Sequence, residues 1–216
     1  MRKIPLIFSF LLFVLLVNGQ QDIKARQILE EVSKKTRSYK NLSAEFIFSM
    51  ENKEMDIDEK NEGSLKMNGQ KYVVDLPAIG IKVFSDGQTI WNYMKDGNQV
   101  TISNTGDQGS EFLDPSSIFN IYEKGFISKL TGEKKEGKKS YYQIELTPEK
   151  PGSDITKIII SIDKAEMMVS SANFHSTDGN LYGVKIKKLD TDIDLPDSFF
   201  VFNTNEYEDV EVIDFR

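Results

Sequence analysis

The 216-residue chain contains no cysteine, one histidine and one tryptophan. Without cysteine there are no disulfides, no thiolate metal sites, no cysteine nucleophile and no lipid-modified N-terminal cysteine. Its stability must come from an ordinary hydrophobic core. The lone histidine, His175, cannot hold a metal by itself, and no serine–histidine–acid constellation surrounds it. Its neighbours Ala172 and Phe174 alternate away from it, which assigns it to solvent or a loop. Positive charge is also scarce, with 27 Lys and Arg against 34 Asp and Glu for a net charge of −7. Such a chain gains little from the counterion release that drives nucleic-acid binding, and anionic membrane surfaces repel it.

Long apolar runs are absent beyond the first residues. Arg2 and Lys3 precede an apolar stretch from Ile4 to Val17, and Val17-Asn18-Gly19 supplies a cleavage site. This stretch covers 14 residues (4 to 17), whereas a membrane-spanning helix needs about 20. Residues 1–19 therefore read as a signal peptide cleaved near Gly19, and 20–216 as one domain. Loss of Arg2 and Lys3 moves the net charge from −7 to −9.

What is present is alternation. Asp22 to Tyr39 has Ile23, Ile28, Leu29 and Val32 near helical spacing, which predicts an amphipathic helix with Asp22 as N-cap. From Asn41 onward the period becomes two. Ala44, Phe46, Phe48 and Met50 share one face, as do Tyr72, Val74 and Leu76, then Ile79, Ile81 and Val83, and later Ile158, Ile160 and Ile162. Asn68-Gly69, Asp86-Gly87, Asp96-Gly97 and Asp178-Gly179 mark tight hairpin turns. A second, short helix is expected over Phe112 to Tyr122, with Asp114 as cap and Pro115 in its first turn, after a polar loop from Asn104 to Ser110. Asp190 to Pro196 reads as an acidic linker before the aromatics Phe199, Phe200 and Phe202. The fold class is α+β: a curved antiparallel sheet covering helices on one face. Runs that are apolar on both faces, such as Tyr72-Val73-Val74, imply helices inside and crossing loops outside.

Two motifs imitate known sites: the first fails, and the second reads by default as a solvated acidic turn, with a weak surface calcium site as the alternative. Gly132 to Ser140 approaches a phosphate-binding loop, but Lys139 separates Lys138 from Ser140 and the segment leads into a strand. A charged hairpin turn is expected instead. Asp190-Thr191-Asp192-Ile193-Asp194 begins like a calcium loop, but Leu195 stands where glycine is required and Val201 where glutamate is required. No catalytic residue, metal ligand or cofactor site is predicted.

The order of elements and local motifs resembles the outer-membrane lipoprotein carrier family, LolA. Leu42-Ser43-Ala44-Glu45-Phe46 is similar to the family's first strand, and Glu62-Gly63-Ser64-Leu65 to its Gly-x-Leu strand start. Phe84-Ser85-Asp86-Gly87-Gln88-Thr89-Ile90-Trp91-Asn92-Tyr93 resembles its "SDGxxxWxY" hairpin, and Ile144-Glu145-Leu146-Thr147-Pro148 a strand ending in "LTP". Phe200-Val201-Phe202 followed by Val210 to Asp214 resembles its "FxF…VxVxD" close. The resemblance spans nearly all of the chain beyond the signal peptide. It departs from the family after the Gly-x-Leu strand: members place Arg-Pro there, the arginine bonding to a helical lid, while this chain has Lys66-Met67-Asn68-Gly69-Gln70-Lys71. Lys66 or Lys71 is the candidate substitute, without the guanidinium fork.

The resemblance implies an incomplete β-barrel covered by helices, enclosing an apolar cavity for acyl chains. The expected lining is Phe46, Phe48, Met50, Tyr72, Val74, Ile81, Val83 and Trp91, with Phe119 from the short helix. It also implies a periplasmic, monomeric, non-enzymatic carrier whose partners are acylated lipoproteins, an inner-membrane lipoprotein-releasing transporter and an outer-membrane acceptor. Rival readings are a lipid or lipoprotein sensor on the same half-barrel, a scaffold or adhesion module whose apolar face is plain core, and an enzyme with clustered carboxylates.

Overall fold

The computed structural model describes residues 23–106 and 125–216. Helix α1 (residues 23–38) leads into strands β1 (Leu42–Asn52), β2 (Ile57–Asn68), β3 (Lys71–Leu76), β4 (Ile81–Ser85), β5 (Thr89–Met94) and β6 (Gln99–Asn104). After residue 125 come β7 (Phe126–Glu136), β8 (Lys139–Pro148), β9 (Ile155–Asp163), β10 (Met168–Ser176), β11 (Leu181–Thr191) and β12 (Glu211–Asp214). All lie in one sheet of order β12-β6-β5-β4-β3-β2-β1-β11-β10-β9-β8-β7. Every pairing is antiparallel except that of β12 with β6. The terminal strands β12 and β7 are not paired with each other, so the sheet is an open, unclosed barrel wall. The signal-peptide reading, the cap Asp22 and the predicted short helix over Phe112 to Tyr122 fall outside the described residues.

The meander follows from its turns. Gly69 after β2 has φ +60° and Gly179 before β11 has φ +85°, conformations that L side chains rarely adopt. The expected charged hairpin over Gly132–Ser140 is present, joining β7 to β8 through Gly137. The acidic calcium-like segment is no loop at its start: Asp190 and Thr191 complete β11, paired with Ser43 and Leu42.

Helix α1 seats Ala25, Ile28, Leu29 and Val32 on Ile144, Leu146, Ile158, Ile160, Ile162, Ala172 and Phe174 of β8–β10. The i, i+3, i+4, i+7 spacing places these four on one stripe. Ile23, assigned to that stripe from the sequence, is exposed, and Ala25 takes its place. The sheet face under α1 is the inner face.

The outer face is covered elsewhere. Residues 195–210 cross β3–β6 and pack Phe200 and Phe202 against Val73, Phe84 and Val100. Aromatic contacts lock this layer: Phe202 lies 4.4 Å from Tyr207 and 5.6 Å edge-on from Phe84, centroid to centroid. The expected acidic linker is thus the start of a second cover, and the two-sided apolarity of Tyr72-Val73-Val74 has its explanation. Val73 serves the outer core, while Tyr72 and Val74 serve the inner one.

Candidate binding face

The pairing register extends the inner face across the long middle of the sheet. Phe46, Phe48 and Met50 of β1 stand opposite Ile186, Val184 and Tyr182 of β11. On the other side, Ala44 and Leu42 stand opposite Leu65 and Met67, which in turn pair with Val74 and Tyr72, and these with Val83 and Ser85. Directly paired residues share a face, so one apolar surface runs from β11 to β5.

Burial along this surface is graded. Leu42, Ala44, Met67, Tyr72 and Ile90 are buried at one end of their strands. Toward the other end, Phe48, Met50, Leu76, Ile81 and Tyr182 are half-buried, and Met94 is exposed. Strands β1, β3, β4 and β5 all lose burial in the same direction, toward the end bearing the β1–β2, β3–β4 and β5–β6 turns. At that end Phe48 stacks on Tyr182 with centroids 6.4 Å apart. The Tyr182 hydroxyl accepts from Asn180 Nδ2 at 3.2 Å, and Asn180 Oδ1 accepts from Asn52 Nδ2 at 2.7 Å, tying the β10–β11 turn to the end of β1.

Phe46 occupies space that only a glycine leaves. A Cβ on Gly63, its cross-strand partner, would lie 2.6 Å from the Phe46 ring and 2.7 Å from Leu76. Beside this contact a hollow of about 190 Å³ is lined by Glu45, Phe46, Glu62, Gly63, Ser64, Asp75, Pro77 and Lys187. It is smaller than usual ligand pockets of about 300–1,000 Å³, and its charged lining does not suit an acyl chain.

Of the residues expected from sequence, the structure brings Phe46, Phe48, Met50, Tyr72, Val74, Ile81 and Val83 onto the inner face. Trp91 is a correction. It pairs with Phe84 and packs in the outer layer with the 195–210 cover, because strand alternation puts it opposite Ile90. Ile79 likewise leaves the β4 face, sitting in the 3-10 turn Pro77–Ile79. Phe119 lies outside the described residues. Sequence reasoning missed Leu76 as lining, and it missed Tyr182, Val184 and Ile186. These last three join the site only because β11 pairs with β1 across some 130 residues, a pairing that no local pattern signals.

Neither candidate for the lid-bonding arginine reaches α1. Lys71 Nζ pairs with Asp197 at 2.9 Å, and Lys66 Nζ sits 4.8 Å over the Phe199 ring, both on the outer cover. Among the described residues, the hydrogen bonds that α1 and its exit make to the rest of the fold gather at the C-terminal end, while Lys24 in its first turn sits 5.8 Å over the Tyr142 ring. Lys35 Nζ donates to the Glu166 carbonyl at 2.5 Å, Lys40 N to Asp192 Oδ1 at 3.2 Å and Asn41 Nδ2 to the Ile193 carbonyl at 2.5 Å. Within the seat, the buried Ser33 hydroxyl has no hydrogen-bond partner among the described residues.

Among the described residues, titratable groups do not converge on this face. Asp163, at the β9–β10 turn, is pulled two ways: burial raises its pKa, while Lys139 at 3.0 Å and the Ala165 and Glu166 amides lower it, and the lowering prevails. Burial, then Lys157, depresses His175. Among the described residues no cluster of three His, Cys, Asp or Glu could hold a metal, and no helix is long and apolar enough to cross a membrane.

Among the described residues, the fold is one open antiparallel sheet with an apolar inner face and a single helix against it, in keeping with a fold of the lipoprotein-carrier type. The family model "Outer membrane lipoprotein carrier protein LolA" matches residues 37–203, and the chain belongs to that family. Among solved structures, an uncharacterized conserved protein from Thermus thermophilus superposes with a TM-score of 0.59 at 14% identity, covering 88% of this chain and 99% of that one. A DUF1329 family protein from Desulfovibrio piger gives 0.51 at 13% identity, covering 85% and 99%. A LolA superfamily protein from Nitrosomonas europaea gives 0.45 at 13% identity, covering 82% and 97%. A search of the curated proteins finds no match.

Proposed function

We propose that this protein is a periplasmic carrier that binds the acyl chains of lipoproteins on its inner face and shuttles lipoproteins from the inner to the outer membrane, without catalysis. The observation that carries this reading is the graded apolar face: continuous from β11 to β5, and less buried toward one end. Each methylene moved from water to such a surface contributes about 0.8 kcal/mol, so an acyl chain has a strong reason to enter. Phe48, Met50 and Ile81 line the less buried part, with Phe46, Tyr72, Val74 and Val83 deeper, and Tyr182 and Val184 on the β11 side.

A chain longer than the less buried end needs more of the face uncovered. α1 is the element that moves in this reading. It is hydrogen-bonded at its C-terminal end, and the buried Ser33 hydroxyl in its seat has no partner among the described residues. It acts as a flap in equilibrium between seated and raised states, and cargo shifts that equilibrium. The partners are acylated lipoproteins, a releasing transporter on the inner membrane and an acceptor at the outer membrane.

The test is release of acyl-labelled lipoproteins from spheroplasts by the purified protein lacking residues 1–19. The expected result is label in the supernatant complexed with the protein, at least about tenfold reduced by Phe48→Asp. No release beside a working carrier control, or wild-type release by folded Phe48→Asp, sinks this reading.

A further inference from the structure

Strand β2 outruns its neighbour β3. Residues 57–67 of β2 pair with β1 on one side, but on the other only Ser64 to Asn68 pair with β3. Past its pairing with β2, β3 ends at Leu76 and the chain turns away at Pro77. Among the described residues, no strand pairs with β2 on that side from Ile57 to Gly63. The backbone N–H and C=O groups that point outward there form a free edge inside the sheet, and such an edge is a template for another strand. Asp58, Glu59, Lys60 and Glu62 are exposed along it, while Ile57, Asn61 and Gly63 are half-buried. The hollow of about 190 Å³ lies where this edge begins, with Gly63 and Ser64 on its β2 side and Asp75 and Pro77 where β3 departs.

We propose that this edge binds the polypeptide of the cargo: the extended, basic segment that follows the acylated residue of a lipoprotein adds as a strand to β2 along Ile57–Gly63. Position supports this occupant. Glu59 and Asn61 stand opposite Met50 and Phe48, so the apolar face gives way to polar groups within one strand spacing of about 4.8 Å. Acyl chains seated on Phe48 and Met50 bring the polypeptide they are attached to up to this border. An unfolded segment arriving there finds main-chain partners that suit any sequence, as strand addition requires. Charge then selects its sign. Glu51–Gly63 carries six carboxylates against two lysines. Lysines beside the edge are engaged, Lys60 with Asp58 at 3.0 Å and Lys187 with Glu62 at 2.6 Å. A basic segment is drawn to such a strip and an acidic one is repelled. A second copy of this chain fits less well, because two of these edges would set like charges against each other. This placement rests on the carrier reading and adds the part of the cargo that the apolar face does not hold.

The test is amide hydrogen exchange in the protein lacking residues 1–19, with a diacylated cysteinyl peptide that carries a lysine-rich linker of about seven residues. The expected result is exchange at residues 57–63 slowed about tenfold or more relative to diacylated cysteine amide without a linker. N-methylation of the linker amides, which leaves its charge in place, removes that protection. Glu59→Lys lowers affinity for the lysine-rich linker about three- to tenfold, raises it for a glutamate-rich linker, and leaves binding of diacylated cysteine amide unchanged. Equal exchange with and without the linker, full protection by the N-methylated linker, or indifference of Glu59→Lys to linker charge overturns the proposal while the carrier reading stands. Protection that grows with protein concentration in the absence of any ligand also overturns it, by assigning the edge to a second copy. Failure of diacylated cysteine amide to bind overturns the carrier reading instead. In that case slowed exchange at 57–63 with the lipid-free linker keeps the edge as a peptide site, and unchanged exchange ends both.

Discussion

In β8–β10 the side chains that point inward meet α1, and those that point outward are mostly polar, Ile159 and Tyr141 apart: Gln143 donates to Ser161 at 2.9 Å, and Asn173 and Gly183 stand in one row with Ser49. In β3–β6 the inward residues form the graded face, while the outward ones, Val73, Phe84 and Val100, lie sealed beneath Phe200 and Phe202. One sheet thus carries two covers on opposite faces of its two halves. A β-strand half-buried on either face suffices for a stable layer. Sealing the outer face of β3–β6 supplies that half with its own core, and its inner face need not be fully packed to hold the fold together. The division of labour is physical: one half is stabilised by a helix on the inside, the other by an aromatic strap on the outside, which leaves inner apolar surface available.

The sharpest way to break this comparison is to remove the strap. Phe200→Ala empties the centre of the outer layer and should cost about 3–5 kcal/mol in urea unfolding, with acyl-probe binding by the remaining folded fraction unchanged. Unchanged stability would show that the strap is not the second core. Leu29→Ala, under the helix, should cost about 2–3 kcal/mol. It should also speed amide exchange in α1 far more than in β3–β6, so uniform acceleration across the sheet would argue against two separable halves. Gly63→Ala drives a methyl group into Phe46 and Leu76 and should cost about 1–3 kcal/mol, while displacing Phe46 enough to weaken acyl binding.

The smallest effect concerns pH. Asp163 has a lowered pKa in the folded chain, so its contribution to stability is complete above its unfolded-state value and fades as pH falls through the lower folded value. Asp163→Asn should cost about 1 kcal/mol at neutral pH through weakened turn bonds and should flatten the acid limb of the stability curve below the ordinary carboxylate range. An acid limb as steep as that of the wild type would assign acid lability to other carboxylates.

Much of this was legible in the chain itself. The alternation in Ala44 to Met50, in Tyr72 to Leu76 and in Ile158 to Ile162 fixed which residues share a face, because a pleated strand permits no other arrangement. The Asn-Gly and Asp-Gly pairs marked the hairpins, the i, i+3, i+4, i+7 spacing marked α1, and the ordered motifs pointed to the LolA family. Where faces go was not legible. Trp91 alternates as cleanly as Ile90, and only the strap beneath Phe200 and Phe202 decides that it belongs to the outside. Ile79 looks like a strand residue until Pro77 and Gly80 turn the chain beneath it.

Sequence by itself determined the elements, their turns and the apolar character of both faces, since backbone geometry and side-chain period are local properties. The tertiary structure alone decided which face α1 covers, that Val184 and Tyr182 stand opposite Phe48 and Met50, and that burial fades toward one end. Those depend on contacts between residues more than a hundred positions apart, such as β1 with β11, whose pairing is set by the packing of the whole sheet.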